Sequence, residues 1–201
     1  MKRKLILFLA TGFFSLHTFA QFDTASIRKD IKNFQTSLQD EYANPYLTPL
    51  KEEQQKNFKG IQFFPENLGL VLQAHFTRSN SDKVFIMETS SHKEKKYHLY
   101  GSVQFSIDNH VYSLDVYQSL DLKEKKGYEN YLFIPFRDAT SGKETYGGGR
   151  YLDLLIPDKE DIILNFNLAY QPYCAYTEGY NCPIPPPENT LPVAIKAGVR
   201  L

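Results

Sequence analysis

The stretch from Asn130 to Ile156, NYLFIPFRDATSGKETYGGGRYLDLLI, is two apolar runs separated by a dense polar loop. In the first run Leu132, Ile134 and Phe136 share one parity and Tyr131 and Phe133 the other, so an extended segment here is apolar on both faces. A strand of that pattern is buried on both sides and belongs in the interior of a sheet. Tyr151 to Ile156 is read as the returning strand. Arg137 to Gly149 is thirteen residues long, near the length at which a connection inside a compact domain is usually functional.

Working outward, the same period-2 signal recurs. Leu68, Leu70, Leu72, Ala74 and Phe76 fall on one parity, and Lys83–Thr89, Tyr97–Ile107, Val111–Gln118 and Ile162–Phe166 read as further strands. Asp108 and Asn109 tolerate positive φ and supply a tight hairpin turn. Val193–Ala197, following Pro192, reads as a last strand at an edge. The period changes only near the start, where Ile27, Ile31, Phe34 and Leu38 recur at helical spacing after the capping residues Asp23 and Thr24, predicting an amphipathic helix over 24–41. The expected fold is mainly β, an antiparallel β-barrel or sandwich-like sheet with an N-terminal amphipathic helix.

Residues 1–20 have the form of a secretory signal peptide: Lys2, Arg3 and Lys4, an apolar run from Leu5 to Leu16, and small residues at Thr18 and Ala20. Cleavage near Ala20 leaves 21–201 as a single domain and gives a secreted or periplasmic address. Lys and Arg balance Asp and Glu at 23 each over the whole chain, so loss of that cationic leader leaves a slightly acidic domain. No basic face is present, which argues against a nucleic-acid partner. No further apolar run is long enough to span a membrane. Cys174 and Cys182 are the only cysteines. In an oxidising compartment they read as a disulfide, the alternative being a metal or redox pair that lacks the further ligands a zinc site needs.

The blocks LFIPFRDATSGKETYGGGRYLDL (132–154) and FNLAYQPYCAYTEGYNCPIPPPENTLPVAIKAG (166–198), with Phe85, Met87, Thr89, Ser90 and Tyr97 through Gly101, resemble a bacterial and archaeal family known as domain of unknown function 1684. The resemblance covers most of the chain beyond the leader. It implies no reaction, cofactor or catalytic residue. Asn165 stands where members more often carry an acid, and Val199 where they often carry Glu.

The residues themselves point to a small, anionic or polyhydroxylated ligand at the 137–150 loop. Arg137 and Arg150 are a candidate anion clamp, Gly148 among its glycine neighbours lets backbone N–H groups approach a ligand, and Ser141, Glu144 and Tyr146 add polar contacts. Tyr173 and Tyr176, on a lid stiffened by Pro185, Pro186 and Pro187, supply an aromatic wall. Two other classes compete with binding. One is a hydrolase or lyase with Asp138 and Glu144 as acid and base and Arg137 and Arg150 stabilising negative charge. The other is a structural or interaction module in which these groups only satisfy one another. Asp153 shares a strand face with Tyr151 and Leu155, and Arg137 is its expected partner.

No cofactor motif is complete. Ser90 and Lys93 lack the companion elements of penicillin-binding chemistry, and Gly142–Lys143 lacks the upstream glycine of a phosphate loop. His75, His92, His98 and His110 are not at metal-ligand spacing.

Overall fold

The computed structural model describes residues 23–81 and 83–201; the signal-peptide reading lies outside them. Helix α1, Thr24–Ala43, starts at Asp23, whose side chain accepts from the Ala25 and Ser26 amides. Ile27, Ile31 and Tyr42 are its buried residues. A short helix α2, Glu52–Asn57, follows Pro49. Among the described residues nine strands follow, in antiparallel sheets: β1 Gln62–Phe63, β2 Val71–Arg78, β3 Val84–Met87, β4 Lys95–Ile107, β5 His110–Ser119, β6 Tyr131–Phe136, β7 Arg150–Leu155, β8 Asp161–Asn165 and β9 Val199–Arg200.

The main sheet has the order β7-β6-β5-β4-β2-β8, with β3 also paired to β4, and it curls into half a barrel. The β4–β5 hairpin turns at Asp108 (φ 49°) and Asn109 (φ 62°), the positive dihedrals that an Asp-Asn turn was chosen for. The register shifts between Leu99 and Gly101. A Cβ at Gly101 would stand 2.4 Å from the Thr77 carbonyl oxygen, so glycine permits the close strand approach at this bulge, which bends and twists the ladder.

The concave face holds Phe76, Val103, Phe105, Leu114, Leu132, Ile134, Phe136 and Leu152 in one core, roofed by Leu191, Ile195 and Ala197 from the C-terminal segment. The opposite face carries a second, aromatic cluster of Met87, Tyr97, Tyr117, Phe133 and Tyr151. β6 lies between β5 and β7 and is buried from Leu132 through Phe136, as its two-faced apolar pattern required.

The expected strand at Val193–Ala197 does not form; the last strand is β9, paired antiparallel with β1. The reason is local chemistry. The Ile195 amide donates to Asp138 Oδ2 at 2.6 Å, and the Ile195, Ala197 and Val199 carbonyls accept from Arg150. Side chains thus occupy backbone groups that a ladder would need.

Candidate functional site

The 137–150 loop turns its polar groups inward. Arg150, the first residue of β7, is fully buried, as is the Asp138 side chain 3.4 Å away. Its Nη1 donates to Ala197 O (2.5 Å) and Val199 O (3.2 Å), and its Nη2 to Ile195 O (2.7 Å) and Asp138. The Phe136 and Phe64 rings flank the guanidinium. Burial pulls its pKa down to about 10, while Asp138 acts to keep it charged.

Asp138 also accepts from the Thr140 hydroxyl at 2.8 Å, the Ser141 hydroxyl at 3.2 Å and the Ile195 amide. A carboxylate so saturated has no open position for a reacting atom. Glu144 turns outward to Lys196, 2.9 Å away, so the two carboxylates do not converge on one centre. Arg137 does not meet Asp153, contrary to expectation. Asp153 faces Phe133 in the β6–β7 register, four residues from Arg137, or about 13 Å along a strand.

Two of the loop's glycines serve packing. A Cβ at Gly149 (φ 92°) would stand 2.6 Å from the Phe136 carbonyl oxygen and 2.7 Å from Pro185, and one at Gly148 would stand 2.3 Å from the Tyr146 ring. The Tyr146 amide is held by the Gln171 side chain at 2.9 Å. The loop is therefore clamped beneath the 170–189 strap.

That strap crosses the other face of the sheet and forms one wall of an open cavity of about 910 Å³. Tyr97, Phe133, Tyr151 and Asp153 line it from the sheet, Phe34, Leu38 and Glu41 from α1, Asp121 and Lys125 from the β5–β6 connection, and Tyr170, Tyr173 and Cys182 from the strap. Of the residues singled out at the 137–150 loop and the lid, Tyr173 lies here. Tyr176 lines a shallower groove of about 560 Å³ with Leu50 and Phe58, where the charged groups Glu53 and Lys59 are exposed.

Asp153 is the distinctive group of the cavity. Its Oδ1 accepts from both the Tyr131 hydroxyl, at 2.6 Å, and the Tyr170 hydroxyl, at 2.7 Å. Asp153 is exposed, and water reaches its carboxyl from the cavity. Partial desolvation by the cavity wall raises its pKa from the ordinary value, against the two tyrosine hydrogen bonds, which lower it. Burial likewise raises Tyr131, Tyr170 and Tyr151 and pushes Tyr97 up to about 12. It draws the Lys95 ammonium, also on the cavity wall, below its ordinary value, with Asp121 acting in the opposite sense. A cleft that gathers perturbed acids and bases is a physical criterion for a functional site. The signal in the sequence was a carboxylate on a strand face whose other members are Tyr151 and Leu155, and a tyrosine parity in β4 and β6 to match it.

The strap is fastened at several points. Its Tyr170 exchanges backbone hydrogen bonds with Tyr151 at 2.8 and 3.0 Å, the Tyr151 hydroxyl donates to Pro183 O at 2.5 Å, and the Tyr173 hydroxyl donates to Glu41 of α1 at 2.8 Å. Cys174 and Cys182 are joined in a disulfide across a separation of 8 residues, with the Ser90 hydroxyl against Cys174 Sγ at 3.1 Å. Closing a loop of that size stabilises the fold by about 2–3 kcal/mol. The Cys174→Ser/Cys182→Ser pair is expected to lose that amount in denaturant titration, and intact mass after alkylation without reduction should show no adduct on the native chain.

The fold defines a class: a mainly β protein whose curled sheet is packed on one face by a core and on the other by an aromatic cavity under a stapled strap. The chain belongs to the family described as "Protein of unknown function (DUF1684)", whose model matches residues 56–200. It is similar to an uncharacterized protein of Haloarcula marismortui known from a solution NMR structure, at 29% sequence identity and a TM-score of 0.70, covering 89% of this chain and 96% of that one. No curated protein matches the chain. Asn165 accepts from the Asn167 amide at 3.0 Å, and Val199 is fully buried.

Proposed function

We propose that this protein binds a small organic molecule in the tyrosine-lined cavity, through Asp153. The observation that carries this reading is a carboxylate set in a cavity of ligand size with one oxygen fixed by two tyrosines and the other turned to no protein donor among the described residues. Tyrosine faces supply apolar contact area and the carboxylate fixes orientation, which is how small-molecule sites divide affinity from specificity. The walls carry Glu41, Asp121 and Asp153 beside Lys95 and Lys125, and Asp153 Oδ2 is an open acceptor, so the ligand is one that donates a hydrogen bond to it. Arg137 and Arg150 then belong to the scaffold. A secreted or periplasmic setting accords with the leader-like first twenty residues and with the disulfide.

The test is a thermal-shift screen of sugars, amines and organic acids against the native chain and Asp153→Asn. The expected result is a hit that stabilises the native protein and loses its effect in the variant. Asn keeps an oxygen for Tyr131 and Tyr170, so the variant should fold.

Its own stability provides a second check. A carboxyl whose folded pKa is raised stabilises the fold fully only below its unfolded pKa, and that contribution is lost as pH rises through the folded value. Asp153→Asn should therefore be more stable than the native chain at neutral pH in denaturant titrations, with the gap closing as pH falls below the ordinary carboxylate range. A variant that is less stable at neutral pH and still responds to the ligand would assign Asp153 to the scaffold.

A further inference from the structure

Resting on the cavity as the binding site, we infer that its ligand carries a cationic nitrogen, an ammonium from primary to quaternary, seated on Asp153 Oδ2. Two carboxylates of the fold are met differently, Asp138 with its side chain fully buried and Asp153 exposed on the cavity wall. Asp138 has its cation supplied internally, with Arg150 at 3.4 Å. Asp153 receives two tyrosine hydroxyls on Oδ1, and among the described residues no Lys, Arg or His nitrogen lies within 4.0 Å of it. Asp153 is hydrated from the cavity, and a ligand ammonium that takes the place of that water forms, through any N–H it carries, a charge-assisted hydrogen bond with the carboxylate. The open side of the carboxylate is the cavity, and the group of opposite charge that fits there is a cation.

The surroundings suit such a group better than a neutral one. Tyr151 and Tyr170 meet edge to face with centroids 5.7 Å apart, and Phe133 meets Tyr151 in the same way at 4.7 Å. Aromatic walls of this kind attract an ammonium through the negative faces of the rings. The cavity's own cations do not substitute for it: Lys95 and Lys125 influence one another, and the carboxylate that acts on Lys95 is Asp121. Glu41, on the α1 wall, is engaged by the Tyr173 hydroxyl. A polyhydroxylated ligand can use Oδ2 as an acceptor, but only a cation also compensates the charge. An amine-bearing polyol satisfies both.

The experiment uses matched pairs that differ in that charge: choline against 3,3-dimethylbutan-1-ol, and glucosamine against glucose. Each is titrated into the native chain and Asp153→Asn, with binding read from NMR shifts of the Tyr97, Tyr131, Tyr151 and Tyr170 ring resonances. In the native chain the cationic member of a pair should bind about tenfold tighter than its neutral partner, and in Asp153→Asn the two should bind alike. Equal binding of both members in the native chain overturns the charge inference and leaves the cavity reading standing. If no probe moves these resonances up to its solubility limit, both readings fall. Shifts confined to exposed carboxylates elsewhere also overturn the inference, since they mark non-specific ion binding.

Discussion

Arg150→Met is expected to lose about 3–5 kcal/mol of stability, the scale on which breaking a buried pair leaves an uncompensated charge. The arithmetic follows from what the guanidinium holds. It neutralises Asp138 and satisfies the carbonyls of Ile195, Ala197 and Val199. Methionine matches much of the apolar volume but donates nothing, so three carbonyls lose their donor and the Asp138 carboxylate, still hydrogen-bonded by Thr140, Ser141 and the Ile195 amide, loses its counter-charge in the core. Urea unfolding measures the loss. The double variant Asp138→Asn/Arg150→Met should lose less than the sum of the two single changes, because removing the stranded charge removes most of the cost, and contacting residues couple in this way. A native-like midpoint for Arg150→Met would show that the residue is no strut and would return the loop to consideration as an anion clamp.

Asn189→Ala should cost about 2–4 kcal/mol, from leaving several buried backbone groups unpaired at about 1–3 kcal/mol each. Asn189 is fully buried. Its Nδ2 donates to Pro135 O at 2.7 Å and Asp115 O at 2.9 Å, and its Oδ1 accepts from the Asp115 amide at 2.7 Å. The amide side chain behaves as one peptide unit of a missing strand between β5 and β6, which pair directly only at Tyr117 and Phe133. Pro135 has no N–H for a ladder, and an interior strand tolerates it here because β5 makes no direct ladder beside it and Asn189 uses only its carbonyl. Hydrogen exchange at the Asp115 amide should rise steeply in the variant, alongside the drop in denaturation midpoint. Unchanged protection there would refute the bridging role.

Both predictions concern residues that the sequence presents as loop or lid chemistry. Arg137, Asp138, Ser141, Glu144 and Arg150 do form one polar neighbourhood, but a pattern of charges along a chain does not say whether they face solvent or each other. Arg150 shares its strand parity with Leu152 and Leu154, and that parity faces the core. Tyr151 and Asp153 take the other parity and reach the cavity. A one-residue offset separates a structural cation from a site carboxylate.

The chain by itself determined the strand pattern, the Asp108–Asn109 hairpin, the two-faced burial of β6, the α1 segment and the family. These follow from period, turn chemistry and local motif, which are properties of neighbouring residues. Only the tertiary structure decided that Val193–Ala197 is held by Asp138 and Arg150 instead of by a ladder, and that Asp153 answers to Tyr131 and Tyr170 instead of Arg137. It alone brought α1, the sheet and the strap around one cavity. Those outcomes depend on which groups, 17 to 57 residues apart, reach one another once the sheet has curled, and burial converts such meetings into charge pairs, shifted acids and satisfied carbonyls.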